Sequence, residues 1–206
     1  MPKLKLISKG VLLTLFIITL SGCGYNTLVE LDEKVNQAWA QVENQYQRRA
    51  DLIPNLVNTV KGYADFEKDV LIEVTELRSQ VGQIKITADD LTDEEKFRQF
   101  QDAQDKLSGA LSRLLVVAEN YPQLKANENF LQLQTQLEGT ENRISVERKK
   151  FNETTQEYNT TIRRFPTLIT AKIFGFKEKQ YLKSAPGTEK VPDVKFDFNK
   201  KDENKK

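Results

Sequence analysis

From Tyr25 onward the chain places apolar side chains at steps of three and four: Leu28, Leu31, Val35, Ala38 with Trp39, Val42 and Tyr46, then Ile53, Leu56, Val57 and Val60. That spacing keeps one face of a 3.6-residue helix dry and leaves the rest to charged residues. A strand needs strict alternation, and only the C-terminal tail offers any. Glycine and proline, the residues that interrupt helices, number nine and six in 206 residues, so the periodic segments can run long. The expected fold class is all-α.

Interruptions divide the pattern. Pro54 lies inside the first stripe and cannot donate to the carbonyl of Ala50, so the helix either kinks there or restarts with Asp51 as N-cap; the unbroken phase of the stripe favours a kink. Gly62 and Asp65 mark a second weak point, and Val70, Leu71, Val74, Leu77, Val81 and Ile84 continue a helical face beyond it. "LTDEE" at 91–95 offers Thr92 as N-cap with Glu95 three residues on, a capping box opening a helix through Phe97, Phe100, Leu107, Leu111, Leu114 and Val117 that stops before Pro122. The last helix, expected to be the longest, carries Phe130, Leu133, Leu137, Ile144, Phe151, Tyr158, Ile162 and Phe165 on one side and ends at Pro166.

Long helices with short connections lie antiparallel and bury their stripes on one another, which predicts an antiparallel bundle of three to four long helices. The hook "TLITAKIFGF" after Pro166 is expected to pack on the end of the bundle. Residues 184–206 are polar and lysine-rich and are read as a disordered tail. Within them "PDVKF" at 192–196 alternates, which would suit an extended strand in a groove, although a solvated tail is the plainer reading. The bundle domain therefore spans residues 23–183.

Residues 1–22 read as a secretory signal: Lys3, Lys5 and Lys9, then the apolar run "VLLTLFIITL" at 11–20, then small residues. The run is much shorter than the roughly 20 residues of a spanning helix. Leu20, Ser21, Gly22 and Cys23 resemble the bacterial lipobox, in which the chain is cut before the cysteine and the thiol takes a diacylglyceryl group. Long acyl chains, at roughly 0.8 kcal/mol per buried methylene, would make Cys23 an anchor. The alternative is an uncleaved N-terminal transmembrane helix running on towards Leu31. Both readings put the domain on a membrane.

The rest of the composition excludes chemistry. With no histidine there is no imidazole base or metal ligand, and one cysteine allows no internal disulfide or thiolate cage. The formal net charge of +1 falls to −2 once the three lysines of the signal are set aside, which argues against nucleic acid as a partner. No nucleophile elbow or phosphate-binding loop occurs. Glu67, Glu141 and Glu147 are candidates for a carboxylate hydrolase, and Glu141 and Glu147 for a paired-carboxylate metal site, but bundle metal sites normally include Glu-x-x-His pairs. No catalytic residue, metal or cofactor is expected.

Two polar constellations stand out. Arg48, Arg49, Asp51 and Asn55 surround Pro54 and form a candidate interaction surface for an anion or peptide, with an Arg48–Asp51 ion pair on the helix surface as the bland account. Phe151-Asn152 and Tyr158-Asn159 stand seven residues apart, so both amides lie on one flank, where they would fix register between helices. Trp39, Phe97, Phe100, Phe130 and Phe151 would line a ligand pocket or, more simply, form the core.

"YNTLVELDEKVNQAW" and "RRADLIPNLV" resemble the signature of the LemA family of bacterial membrane-associated helical proteins. The resemblance continues through "VKGYADFEKDVL", "ALSRLLVVAENYPQLKANENF" and "LEGTENRISVERKKFNETTQEYNTTIRRFP" and covers nearly all of residues 25–176. It implies an antiparallel bundle held at the membrane by its N-terminus, with no established activity or ligand. It also implies partners such as a TPM-domain envelope protein or a membrane metalloprotease. Phe66 stands where relatives often have histidine, and the lipobox stands where many have a spanning helix. The expectation is a lipid-anchored interaction or scaffold module on the outer side of the bacterial cell membrane, of unspecified oligomeric state, with a ligand- or lipid-binding bundle and a carboxylate-based hydrolase as alternatives.

Overall fold

In the computed structural model, which describes residues 2–63 and 67–183 and side chains from Gly24 onward, the first stripe becomes a single helix, α1 (Pro2–Lys61). It does not restart at Pro54. Asp51, offered as a cap for a new helix, sits within α1 and accepts a hydrogen bond from Gln47 Nε2 at 2.8 Å. The carbonyl that Pro54 leaves without its helical donor, that of Ala50, accepts from Arg78 Nε at 2.8 Å. A side chain from the next helix therefore offsets the bond that the proline removes.

Arg78 belongs to α2 (Lys68–Gln83), which is followed by a 3-10 turn (Asp89–Thr92), α3 (Glu94–Ala118), the single turn α4 (Pro122–Lys125), α5 (Glu128–Arg163) and α6 (Thr167–Phe174). At 60 residues α1, not the last helix, is the longest. The start of α3 is also shifted from the sequence expectation. Asp93, with extended backbone, is its N-cap, accepting from the amides of Glu95 and Lys96 at 3.0 and 3.1 Å. Thr92 is the last residue of the 3-10 turn, one position before the cap, and donates its hydroxyl to Asp89 O at 3.0 Å, while Asp93 takes the amides that a capping box on Thr92 would need. Asn127 caps α5 by accepting from Phe130 N. Gly175, at φ +77°, ends α6 in the left-handed region that glycine adopts without penalty.

Side-chain layers fix the directions. Trp39 meets Phe97 and Phe151, and Arg49 meets Gln104 and Glu141. Numbers rise along α1 and α3 and fall along α5 between these layers, so α5 is antiparallel to both. The Ala50–Arg78 and Trp39–Ile86 contacts run α2 antiparallel to α1. The all-α antiparallel bundle is thus built from α1, α2, α3 and α5, with α6 on α1 and α5 at the end where Gly24 lies. Phe165 leaves the stripe and is 81% exposed. The side chains of residues 2–23, which include the expected signal, and the tail expected at 184–206, with "PDVKF", lie outside the described residues.

Two hydrophobic clusters share the core. One is mainly aliphatic and includes Ile53, Leu56, Val60, Leu71, Leu111, Leu114 and Leu137. The other, nearer Gly24, holds Trp39, Tyr46, Phe97, Phe100, Phe151 and Tyr158.

Candidate functional site

Of the four residues around Pro54, the structure leaves Arg48, Asp51 and Asn55 exposed on α1 and turns Arg49 inward, where it is 2% exposed. Arg49 Nη1 donates to Glu141 Oε1 at 2.7 Å, Nη2 donates to Gln104 Oε1 at 2.6 Å, and the guanidinium lies 5.2 Å from the Tyr46 ring centroid. The planar fork can serve a carboxylate and an amide at once, which a lysine cannot do. Arg49 thus joins α1, α3 and α5 rather than contributing to a surface. Asp51 accepts from Gln47 in place of an ion pair with Arg48.

A more elaborate arrangement lies along α5, where the chain after α6 returns as an extended strap, residues 176–183, between α3 and α5. Asn159 Oδ1 accepts from Lys179 N at 2.9 Å while its Nδ2 donates to Lys179 O at 2.8 Å. Asn152 treats Leu182 in the same way, at 2.9 and 2.8 Å. Gln101 on α3 does so with Lys183, at 3.0 and 2.8 Å. Each primary amide carries one acceptor and two donors, so it can copy the pairing that a neighbouring strand would provide. Seven helical residues rise about 10.5 Å, and three extended residues span about 10 Å, so amides seven apart meet backbone groups three apart. The sequence spacing was sound, but the amides register a strap and not a second helix.

The strap is also held by its own side chains. Lys179, 5% exposed, pairs with Asp32 Oδ1 at 2.9 Å and Asn36 Oδ1 at 3.1 Å on α1, with its ammonium 5.6 Å from the Tyr158 ring centroid. Leu182 is buried in the aromatic cluster. Tyr158 donates to Lys177 O at 3.0 Å; burial first, and then the charge of Asp32, hold its hydroxyl well above the usual tyrosine range, so it remains a neutral donor. Gln180 N donates to Leu91 O, tying the strap to the 3-10 turn.

Of the remaining candidates, Glu141, Glu147 and the aromatic residues are spent on structure, and Glu67 is exposed ahead of α2. Glu141 serves Arg49, Glu147 pairs with Lys150, and Glu67 precedes α2 without a side-chain cap bond. Trp39 sits 5.3–5.4 Å from Phe97, Phe100 and Phe151, centroid to centroid, so these rings fill one another's space, and Phe130 belongs to the other cluster. Among the described residues no group of three or more His, Cys, Asp or Glu is arranged to hold a metal, and no helix is long and apolar enough to cross a membrane.

The side chains of Cys23 and Phe66 lie outside the described residues, but Gly24 does not. A Cβ there would lie 3.3 Å from Thr170 Oγ1 and 3.5 Å from Thr167 Cγ2, so glycine permits α6 to cross α1 closely. The candidate anchor thus adjoins the folded domain directly. Sequence reasoning placed Arg49 on a surface and not in the core, and it missed the strap and the amide clamp on it; the seven-residue Asn spacing was the one available signal.

The profile of the LemA family matches residues 38–196. The chain is similar to magnetosome protein MamQ 2 of Paramagnetospirillum magneticum, with 27% identity over 178 residues, covering 79% of this chain and 65% of the relative. It is similar to magnetosome protein MamQ of Magnetospirillum gryphiswaldense, with 27% identity over 190 residues, covering 84% and 70%. To the protein LemA of Metamycoplasma hominis it is 24% identical over 147 residues, covering 71% and 63%. The chain therefore spans about two thirds of the length of these curated relatives.

Proposed function

The chain belongs to the LemA family, and on that premise we propose that it is a membrane-anchored protein of the bacterial envelope, held by a lipid on Cys23 and acting outside the cytoplasm as an interaction or scaffold module with no catalytic step of its own. The observation that carries this reading is placement. The lipobox-like stretch ends at Cys23, and at the next residue Gly24 is already packed against α6, so no linker separates anchor from bundle. The chain's partners, on this reading, are other envelope proteins, with a TPM-domain protein and a membrane metalloprotease as the first to test.

Mass spectrometry of the chain purified from bacterial membranes tests the anchor. The expected product begins at Cys23, lacks residues 1–22 and carries the added mass of a diacylglyceryl group. A chain retaining residues 1–22 with an unmodified thiol would overturn the lipid assignment. Proximity labelling from the anchored form tests the scaffold role, which fails if only abundant lipoproteins return.

A further inference from the structure

Helix α6 is built inside out. Its buried residues are Thr170 and Ala171, whereas Ile169, Ile173 and Phe174 are 53%, 72% and 56% exposed, and Phe165 one turn earlier is 81% exposed. Ile169 and Ile173, spaced by four, share one outward face of α6, and Phe165 is exposed in the turn just before the helix. Tyr25 and Val29 on α1 extend it, with the Tyr25 and Phe174 rings 4.7 Å apart between centroids. A helix that packs only for burial turns its large apolar residues inward, and a contiguous exposed patch of this kind marks a surface that is covered in use.

Two features of the molecule identify the cover. Gly24, one peptide step of about 3.8 Å from Cys23, lies in contact with Thr167 and Thr170 of α6, so whatever holds Cys23 lies beside this patch. Residues 163–178 also carry Arg163, Arg164, Lys172 and Lys177 against the single acid Glu178, in a chain whose charge from residue 23 on is −2. Local positive charge around exposed aromatic and aliphatic side chains matches the headgroup region of an anionic bilayer. We propose that α6, with Phe165 and Tyr25, is an interfacial membrane contact that seats the bundle on an anionic lipid surface beside its anchor. This rests on the reading above only in placing the bilayer at the Gly24 end.

The test uses the full chain as isolated from membranes, reconstituted in phosphatidylglycerol–phosphatidylcholine vesicles with brominated acyl chains. Trp39, the chain's one tryptophan, is buried in the core and supplies the baseline. In a Phe174→Trp variant, the added emission should be quenched at least twofold more than that of Trp39. Adding Ile169→Glu and Ile173→Glu, both at exposed positions with little effect on folding, should abolish the extra quenching while circular dichroism stays unchanged. Quenching no greater than that of Trp39 would overturn the proposal. So would a blue-shifted but unquenched emission, which would mean that a protein surface covers the patch, and a second copy if the shift grows with protein concentration. The mass of Cys23 is read on the same preparation, so an acylated cysteine with an unquenched α6 sinks this contact alone, and an unmodified cysteine with a quenched α6 sinks the lipid anchor alone.

Discussion

Far from Cys23 the core is closed by helices alone, with Ile53, Leu56, Leu71, Leu111, Leu114 and Leu137 interdigitating between α1, α2, α3 and α5. Near Cys23 α2 has already ended at Gln83 and α3 begins only at Glu94, so α1 and α5 run on with too few helical neighbours. There the gap is filled by an aromatic cluster, the 3-10 turn, α6 and the strap. Non-helical main chain brings amides and carbonyls that cannot be buried unpaired, which is why Gln101, Asn159 and Lys179 are buried in this half. Apolar periodicity alone specifies one half of the bundle, and in the other it is joined by hydrogen bonds between residues distant in sequence.

The largest expected effect tests whether the aromatic half is as solid as the aliphatic one. Trp39, 3% exposed, contacts Phe97, Phe100 and Phe151, so Trp39→Ala should cost about 3–5 kcal/mol by urea denaturation. A cost below that of Leu114→Ala, expected at about 2–5 kcal/mol, would show that the strap half contributes little to global stability. At the boundary between the halves, Arg49→Leu should cost about 3 kcal/mol, since Glu141 and Gln104 lose their partner. The lower part of the usual range applies because Glu141 is 35% exposed and regains water. A neutral result would mean that the three helices do not need this junction.

Next in size, Asn159→Ala removes both bonds to Lys179 and should cost about 1–3 kcal/mol. Its loss should be local: hydrogen exchange at the amides of Lys179 and Leu182 should speed up while amides around Leu114 keep their protection. Equal acceleration at both places would show that the two halves open as one unit.

The same contrast explains what the sequence revealed. The stripes from Leu28 to Val60 and from Phe97 to Leu114 were legible because a 3.6-residue period is a local property. The start of α3 was misplaced by one residue because Thr92 and Asp93 are both good caps, and only the 3-10 turn, which includes Thr92 and leaves Asp93 with extended backbone, decides between them. Arg49 was read as a surface charge because its partners stand 55 and 92 residues away. The strap, "KEKQYLK", shows no alternation, since its backbone is paired by side-chain amides and not by a neighbouring strand. Its only trace was the Asn152–Asn159 spacing, which is equally compatible with a helical partner.

The smallest expected effect concerns pH and the turn that the strap leans on. Asp90 accepts from Lys96 Nζ at 2.7 Å and from Thr87 N and Oγ1 at 2.9 and 2.7 Å. These bonds, that of Lys96 first, hold its carboxyl well below the usual aspartate range. Because the folded value lies below the unfolded one, the stabilisation is fully present above about pH 4 and is lost as pH falls towards the folded value. The wild-type chain should therefore melt a little above Asp90→Asn at pH 7, with the gap narrowing between about pH 4 and pH 2. The gap should be small, since the pair is open to water and screened. Leu91, between this carboxylate and α3, is the residue whose carbonyl receives Gln180 N, so the strap should loosen in step. Exchange at Gln180 in Asp90→Asn that matched the wild type at pH 7 would separate the turn from the strap, leaving the amide clamp and the Lys179–Asp32 pair as its supports.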